Sequence, residues 1–188
     1  MLKKRDLFEV NTLYELAIHP EVKPYIRQST ESAFHFYQST EEIMHAELNG
    51  ELISRTIINE DNDPIGTINL YDIQHDAGFL ATWIGQAYFG KGYNRAAKEA
   101  FLFELFYQTN IDTVFVKIRK NNFRSIQAAS KLAYIEHANE TYPFMYAQIN
   151  QIEDLYHLLV ITKENFFQHM EVIPFVEHTQ TINAEDVS

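Results

Sequence analysis

Phe79 to Phe106, FLATWIGQAYFGKGYNRAAKEAFLFELF, decides how the rest of the chain is read. It opens with Phe79-Leu80-Ala81-Thr82-Trp83-Ile84, an apolar run rich in aromatic and β-branched residues that predicts a buried strand. Gly85, Gly90 and Gly92 follow, three of only six glycines in the chain. From Asn94 to Phe106 helical spacing puts Ala97, Ala100, Phe101 and Leu105 on one face, with Lys98, Glu99 and Glu104 elsewhere on the surface. A strand, a glycine-rich turn and a helix in that order aim unpaired N–H groups and a positive dipole end at one point. Such a point suits an anion, most often phosphate.

The residues alone leave three phosphate sites and a plain tight turn in competition. Gly85-Gln-Ala-Tyr-Phe-Gly90-Lys91 fits G-x-x-x-x-G-K, but the Ser or Thr that would hold Mg²⁺ is replaced by Gly92. A dinucleotide-binding turn needs a third glycine where Arg95 stands. The third reading is a resemblance. Trp83-Ile84-Gly85 with Tyr88-Phe89-Gly90-Lys91-Gly92-Tyr93 resembles the acetyl-CoA-binding loop of the GNAT N-acetyltransferases, most of all the branch of ribosomal-protein and spermidine acetyltransferases. Further on, Asn122-Phe-Arg-Ser125 and Lys131-Leu132-Ala133-Tyr134 resemble that family's N-x-x-S and K-L-G-F segment.

The resemblance implies an α/β fold: a mixed, largely antiparallel sheet with flanking helices, splayed in the middle to hold the coenzyme. It implies acetyl-CoA as co-substrate, its pyrophosphate on the backbone of the loop. Trp83, Ile84, Gly85, Phe89, Gly90, Lys91, Gly92, Tyr93 and Asn94 would line that site, with Asn122 and Ser125 beside the pantetheine. A backbone N–H near Trp83–Gly85 would meet the acetyl carbonyl. The acceptor would be a primary amine, a small amine or polyamine or a protein N-terminus, acetylated directly in a ternary complex by a monomer or homodimer. Two departures concern the proton. The family's acidic residue on the strand before the loop is Phe79 here, and its tyrosine seven positions after the motif asparagine is Ala129. Tyr134, Glu136 and Tyr142, with His137, are the reserve candidates for catalysis. The same departures motivate an alternative: a non-catalytic acyl-CoA-binding or regulatory module on this fold.

Composition narrows the classes. At 188 residues, 46% hydrophobic and 14% aromatic, the chain suits one packed domain, read as residues 1–170, with a polar tail over 171–188. No apolar run approaches the ~20 residues of a membrane span, and no secretion signal follows Lys3-Lys4-Arg5. A cytoplasmic protein is expected. Zero cysteine removes disulfides and thiolate chemistry, and the histidines show no metal-ligand spacing, so no metal is expected. The net charge of −11 argues against nucleic acid and is compatible with cationic partners or with plain solubility.

Around the central stretch, Leu7, Val10, Leu13, Tyr14 and Ala17 predict a helix stopped by Pro20. Glu31–Tyr37 is ambiguous, and Thr40 is the expected N-cap of a helix ending at Asn49-Gly50. In the resembled family two such helices wall the acceptor site, and a strand precedes them. Here that first strand is expected to be reduced or missing. Leu52–Ile58, Ile65–Ile73, Thr113–Arg119 and Leu155–Thr162 predict strands, and Glu164–Met170 a short helix.

Overall fold

The computed structural model describes residues 1–171, so past Glu171 the expected polar tail lies outside the described residues. Among those residues the strands are β1 (Leu2–Lys4), β2 (Ile53–Ile58), β3 (Pro64–Gln74), β4 (Ala77–Ile84), β5 (Thr113–Arg119), β6 (Glu136–His137) and β7 (Tyr156–Thr162). They form one sheet in the order β1-β2-β3-β4-β5-β7-β6. Every pairing is antiparallel except β4 with β5. The expected first strand is therefore present but reduced to three residues, with Leu2 opposite Ile57. Lys3 pairs with Glu9 and Arg5 is buried, so a run read as merely basic is tied into the fold.

The central pairing is incomplete. β4 and β5 run parallel through Ala77↔Thr113, Gly78↔Val114 and Phe79↔Phe115, and there the ladder stops. β4 nevertheless continues to Ile84 and β5 to Arg119. The two strands splay, as expected, and leave unpaired backbone on both edges of a gap through the sheet.

Alternation along the strands assigns the two faces. One carries α1 (Val10–Ala17), α2 (Ala33–Leu48) and α5 (Pro143–Ile149): Trp83 packs with Val10, Leu13 and Phe36, and Phe79 and Phe115 with Tyr142 and Met145. The other carries α3 (Tyr93–Gln108), α4 (Phe123–Ala129) and α6 (Lys163–Glu171). There Ile68, Leu70 and Leu80 meet Ala97, Phe101, Leu105 and Phe166. Each large apolar side chain fully buried in this way contributes roughly 1.5–3 kcal/mol.

α2 differs from its expected start. Ser32 is the cap, its Oγ accepting from the His35 N–H at 3.2 Å. Thr40 lies inside the helix, fully buried, and its hydroxyl donates to the Phe36 carbonyl at 2.8 Å. Phe36 and Thr40 share one inward face at i, i+4, so tertiary burial carries the helix through the ambiguous segment. The end at Asn49-Gly50 stands, with Gly50 at φ 76°.

Candidate active site

The gap between β4 and β5 opens into a cleft of about 300 Å³. Strand alternation divides its walls. Leu80, Thr82, Val116 and Ile118 face α3 and α4, where Asn122, Ser125 and Ala129 join them. Phe79, Ala81, Lys117 and Arg119 face the opposite side, towards the segment between α1 and α2. The cleft thus passes through the sheet from one layer of helices to the other.

Next to the cleft, tied to its wall by Asn94 on Thr82, lies the glycine-rich loop. Gly90 and Gly92 have φ of +72° and +87°, a left-handed conformation in which glycine carries no steric penalty. A Cβ on either would meet nothing within 4 Å, so the space beside the loop is open. Gly92 is the N-cap of α3 and no side chain caps that end, so the first N–H groups of a 16-residue helix face outward beside the loop. No acidic residue occupies that first turn. Asn94 reaches back to Thr82 on β4 at 3.5 Å, and Tyr93 donates to Glu60. Lys91 lies 5.6 Å over the Tyr88 ring and is exposed. Phe89 packs inward and receives the Arg124 guanidinium on its face at 3.9 Å. The loop and the second motif are thereby joined.

Trp83 lines the cleft, whereas Ile84 belongs to the core. The Gly85 N–H donates to the Ile65 carbonyl at 2.8 Å. Antiparallel alternation then turns the Trp83 N–H towards β3 as well. Beyond the last β4–β5 rung, the N–H groups pointing into the gap are those of Thr82 and Ile84. Within the expected Trp83–Gly85 only the Ile84 N–H points into the gap, and Thr82 lies just outside that range.

Asn122 is buried and caps α4, its Oδ1 accepting from the Ser125 N–H at 3.2 Å. It also lines the cleft with Ser125, and its Nδ2 has no hydrogen-bond partner among the described residues. One side chain thus serves as both cap and wall.

None of the four reserve residues lines the cleft, and His137 is exposed on β6. Tyr134 is fully buried against Phe166, with ring centroids 5.3 Å apart, and burial pushes its phenol far above the ordinary range. Glu136 is exposed on β6, where it accepts from Asn165 at 2.9 Å. Tyr142 stands edge-on to Phe115 at 5.0 Å, beneath α5. The chain turns after α4 so that Leu132 and Tyr134 fill the core under α3, which carries this segment past the cleft.

Lys98, read from sequence as a surface residue, lines the cleft instead. It lies one turn beyond Asn94 on α3, and that i, i+4 spacing was the available signal. Its ammonium has no partner among the described residues, and burial lowers its pKa to about 8.

A family described as Acetyltransferase (GNAT) domain matches residues 3–134. The chain belongs to the GNAT acetyltransferases. The match spans both motifs, the splayed strands and α3. Among solved structures, this GNAT chain is similar to the spermidine N-acetyltransferase of Vibrio cholerae in complex with CoA and spermine. That pair shares 12% identity and a TM-score of 0.71, over 89% of this chain and 97% of the other. FdhC, a nucleotide-linked sugar GNAT, matches at 16% identity and TM-score 0.72, over 91% and 90%. A GNAT-family acetyltransferase from Bacillus anthracis matches at 16% and 0.69, over 87% and 94%. These likenesses support the fold. No curated protein sequence gives a significant match. No helix among the described residues is long and apolar enough to cross a membrane.

Proposed function

We propose that this chain transfers the acetyl group of acetyl-CoA to a primary amine, directly, within a ternary complex. The observation that carries the reading is the splay itself: β4 and β5 part after Phe79↔Phe115, and the cleft between them reaches from Lys98 and Asn122 on the α3 side to Arg27 and Lys117 on the far face. The residues present fit the coenzyme. Backbone N–H groups at Gly90–Asn94 would hold its diphosphate, with the open space beside Gly90 and Gly92 allowing close approach. Asn122, Ser125 and the exposed edge of β4 would meet the amides of its pantetheine arm. Within the family reading, residues 1–170 act as one domain, in the cytoplasm, as a monomer or homodimer.

The reaction forms a C–N bond and breaks the thioester C–S bond. The amine loses a proton, and the leaving thiolate gains one. An N–H of Thr82 or Ile84 serves the carbonyl oxygen, where negative charge develops. Lys98 replaces the missing tyrosine as the proton source: it shares the cleft with Ala129, is unpartnered among the described residues, and gives up its proton more readily than an ordinary lysine.

Thermal unfolding with acetyl-CoA, joined to a thiol-release assay on an amine panel, tests the reading. Coenzyme at a hundredfold excess over Kd should stabilise the fold by about 2.7 kcal/mol. Stabilisation by Mg-ATP but not by acetyl-CoA would overturn it. Tight coenzyme binding with no turnover would favour the non-catalytic module.

A further inference from the structure

On the acetyl-transfer reading, the half of the cleft facing the α1–α2 segment is where an acceptor would enter, because Asn122, Ser125 and Lys98 line the opposite half. Its charge is the reverse of the chain's. Arg27, Lys117 and Arg119 all line it, and no Asp or Glu is among the lining residues, in a protein of net charge −11. Alternation explains the grouping: Lys117 and Arg119 are two apart on β5 and project to the same side.

These cations lie on aromatic rings, and among the described residues only Arg27 also meets a carboxylate. Lys117 Nζ is 5.3 Å from the Phe79 ring centre and 5.8 Å from that of Tyr156. Arg119 lies 6.0 Å over Tyr156, and Arg27 4.5 Å over Tyr71. Among the described residues neither Lys117 nor Arg119 has an ion pair, and Arg27 has only Asp72 at 3.6 Å. Glu51 and Asp72 line an adjoining hollow that Tyr71, Phe79 and Lys117 share with the cleft, without an ion pair to Lys117 among the described residues. A ring face orients a cation but leaves its charge largely unspent, so the wall remains available to an anion.

We propose that the acceptor amine carries an anionic group, a carboxylate or a phosphate, held by Lys117 and Arg119 with Arg27 at the rim. This rests on the acetyl-transfer reading and narrows it. A polyamine would bring like charge against the same wall, which complementary sites avoid.

The test measures transfer from acetyl-CoA by thiol release, with acetyl-CoA affinity measured separately by calorimetry. Matched acceptors differ in one anionic group: glucosamine against glucosamine 6-phosphate, and ethylamine against β-alanine, with spermidine as the polycation. At least one anionic member should exceed its neutral mate by about tenfold in kcat/KM, and spermidine should fall below it. Which pair shows the preference distinguishes phosphate from carboxylate. Lys117→Gln with Arg119→Gln should erase the preference by raising acceptor KM, with acetyl-CoA affinity held. Arg119→Gln alone, at an exposed position, should give part of the effect in a protein of unchanged fold. A preference for the neutral or polycationic acceptor overturns the proposal. So does a double variant that loses acetyl-CoA affinity while keeping the preference, or coenzyme binding with transfer to neither anionic acceptor. Failure to bind acetyl-CoA at all strikes the underlying function instead.

Discussion

Arg124 lays its guanidinium 3.9 Å from the centre of the Phe89 ring and so fastens the first turn of α4 to the loop before α3. Neither residue is a neighbour of the other in sequence, yet the contact fixes the mutual position of the loop and Asn122. An exposed contact of this kind is worth about 0.5–1 kcal/mol. Arg124→Ala should lose that much stability and weaken coenzyme affinity several-fold by releasing the loop. Calorimetry on the variant would show the coupling, and unchanged affinity would make the contact decorative.

Gly92→Asp should abolish coenzyme binding while the protein still folds. Its φ of +87° puts a side chain in strained backbone at the N-cap of α3, and a carboxylate there repels a diphosphate. Gly92→Ala separates the two causes. It should cost ~1–2 kcal/mol of stability through the backbone alone and retain part of the affinity. Equal affinity in Gly92→Asp and wild type would remove the diphosphate from this loop.

The order of elements and the α3 side of the cleft were legible because local rules govern them. Glycines, a strand end and a helix start lie within a single stretch, and Asn122 with Ser125 forms a capping pattern visible by spacing. What escaped was set by tertiary contacts. Thr40 is a buried residue of α2 whose hydroxyl accepts from Gln28, a partner outside the helix that no local rule reveals. Tyr134 sits near the motif in sequence yet fills a core against Phe166. The cationic wall was hidden by net charge, which sums over the surface and is blind to Lys117 and Arg119 sharing one side of β5.

Lys98 should leave a signature in pH. In the unfolded chain it keeps its proton up to about its ordinary 10.5, and in the folded chain only to about 8. Between these values the unfolded state binds more protons, so its contribution to stability rises with pH across the window. Lys98→Met should therefore be the more stable protein below pH 8, and the gap should close towards 10.5. Thermal melts of both proteins across that range read it directly. Turnover by Lys98→Met should drop ~10²-fold if the ammonium is the acid, with the alkaline fall above pH 8 lost. A stability gap independent of pH would mean that the lysine is not desolvated.

Ala129→Tyr tests whether the absent family tyrosine leaves a usable vacancy. Ala129 is buried against Ile118 and Leu159 while also lining the cleft, so a phenol there has only the cleft to enter. The cleft holds about 300 Å³ and already contains the Lys98 side chain on its wall. We expect a stability cost of ~1–3 kcal/mol from overpacking and a large loss of coenzyme affinity, because the ring competes for the pantetheine path. Lys98→Ala should partly relieve the double variant by freeing volume, a non-additive effect that a cycle of single and double variants measures. Higher turnover at unchanged coenzyme affinity would reverse the conclusion: the space would then be a vacant acid position, and Lys98 would not be filling the tyrosine's role.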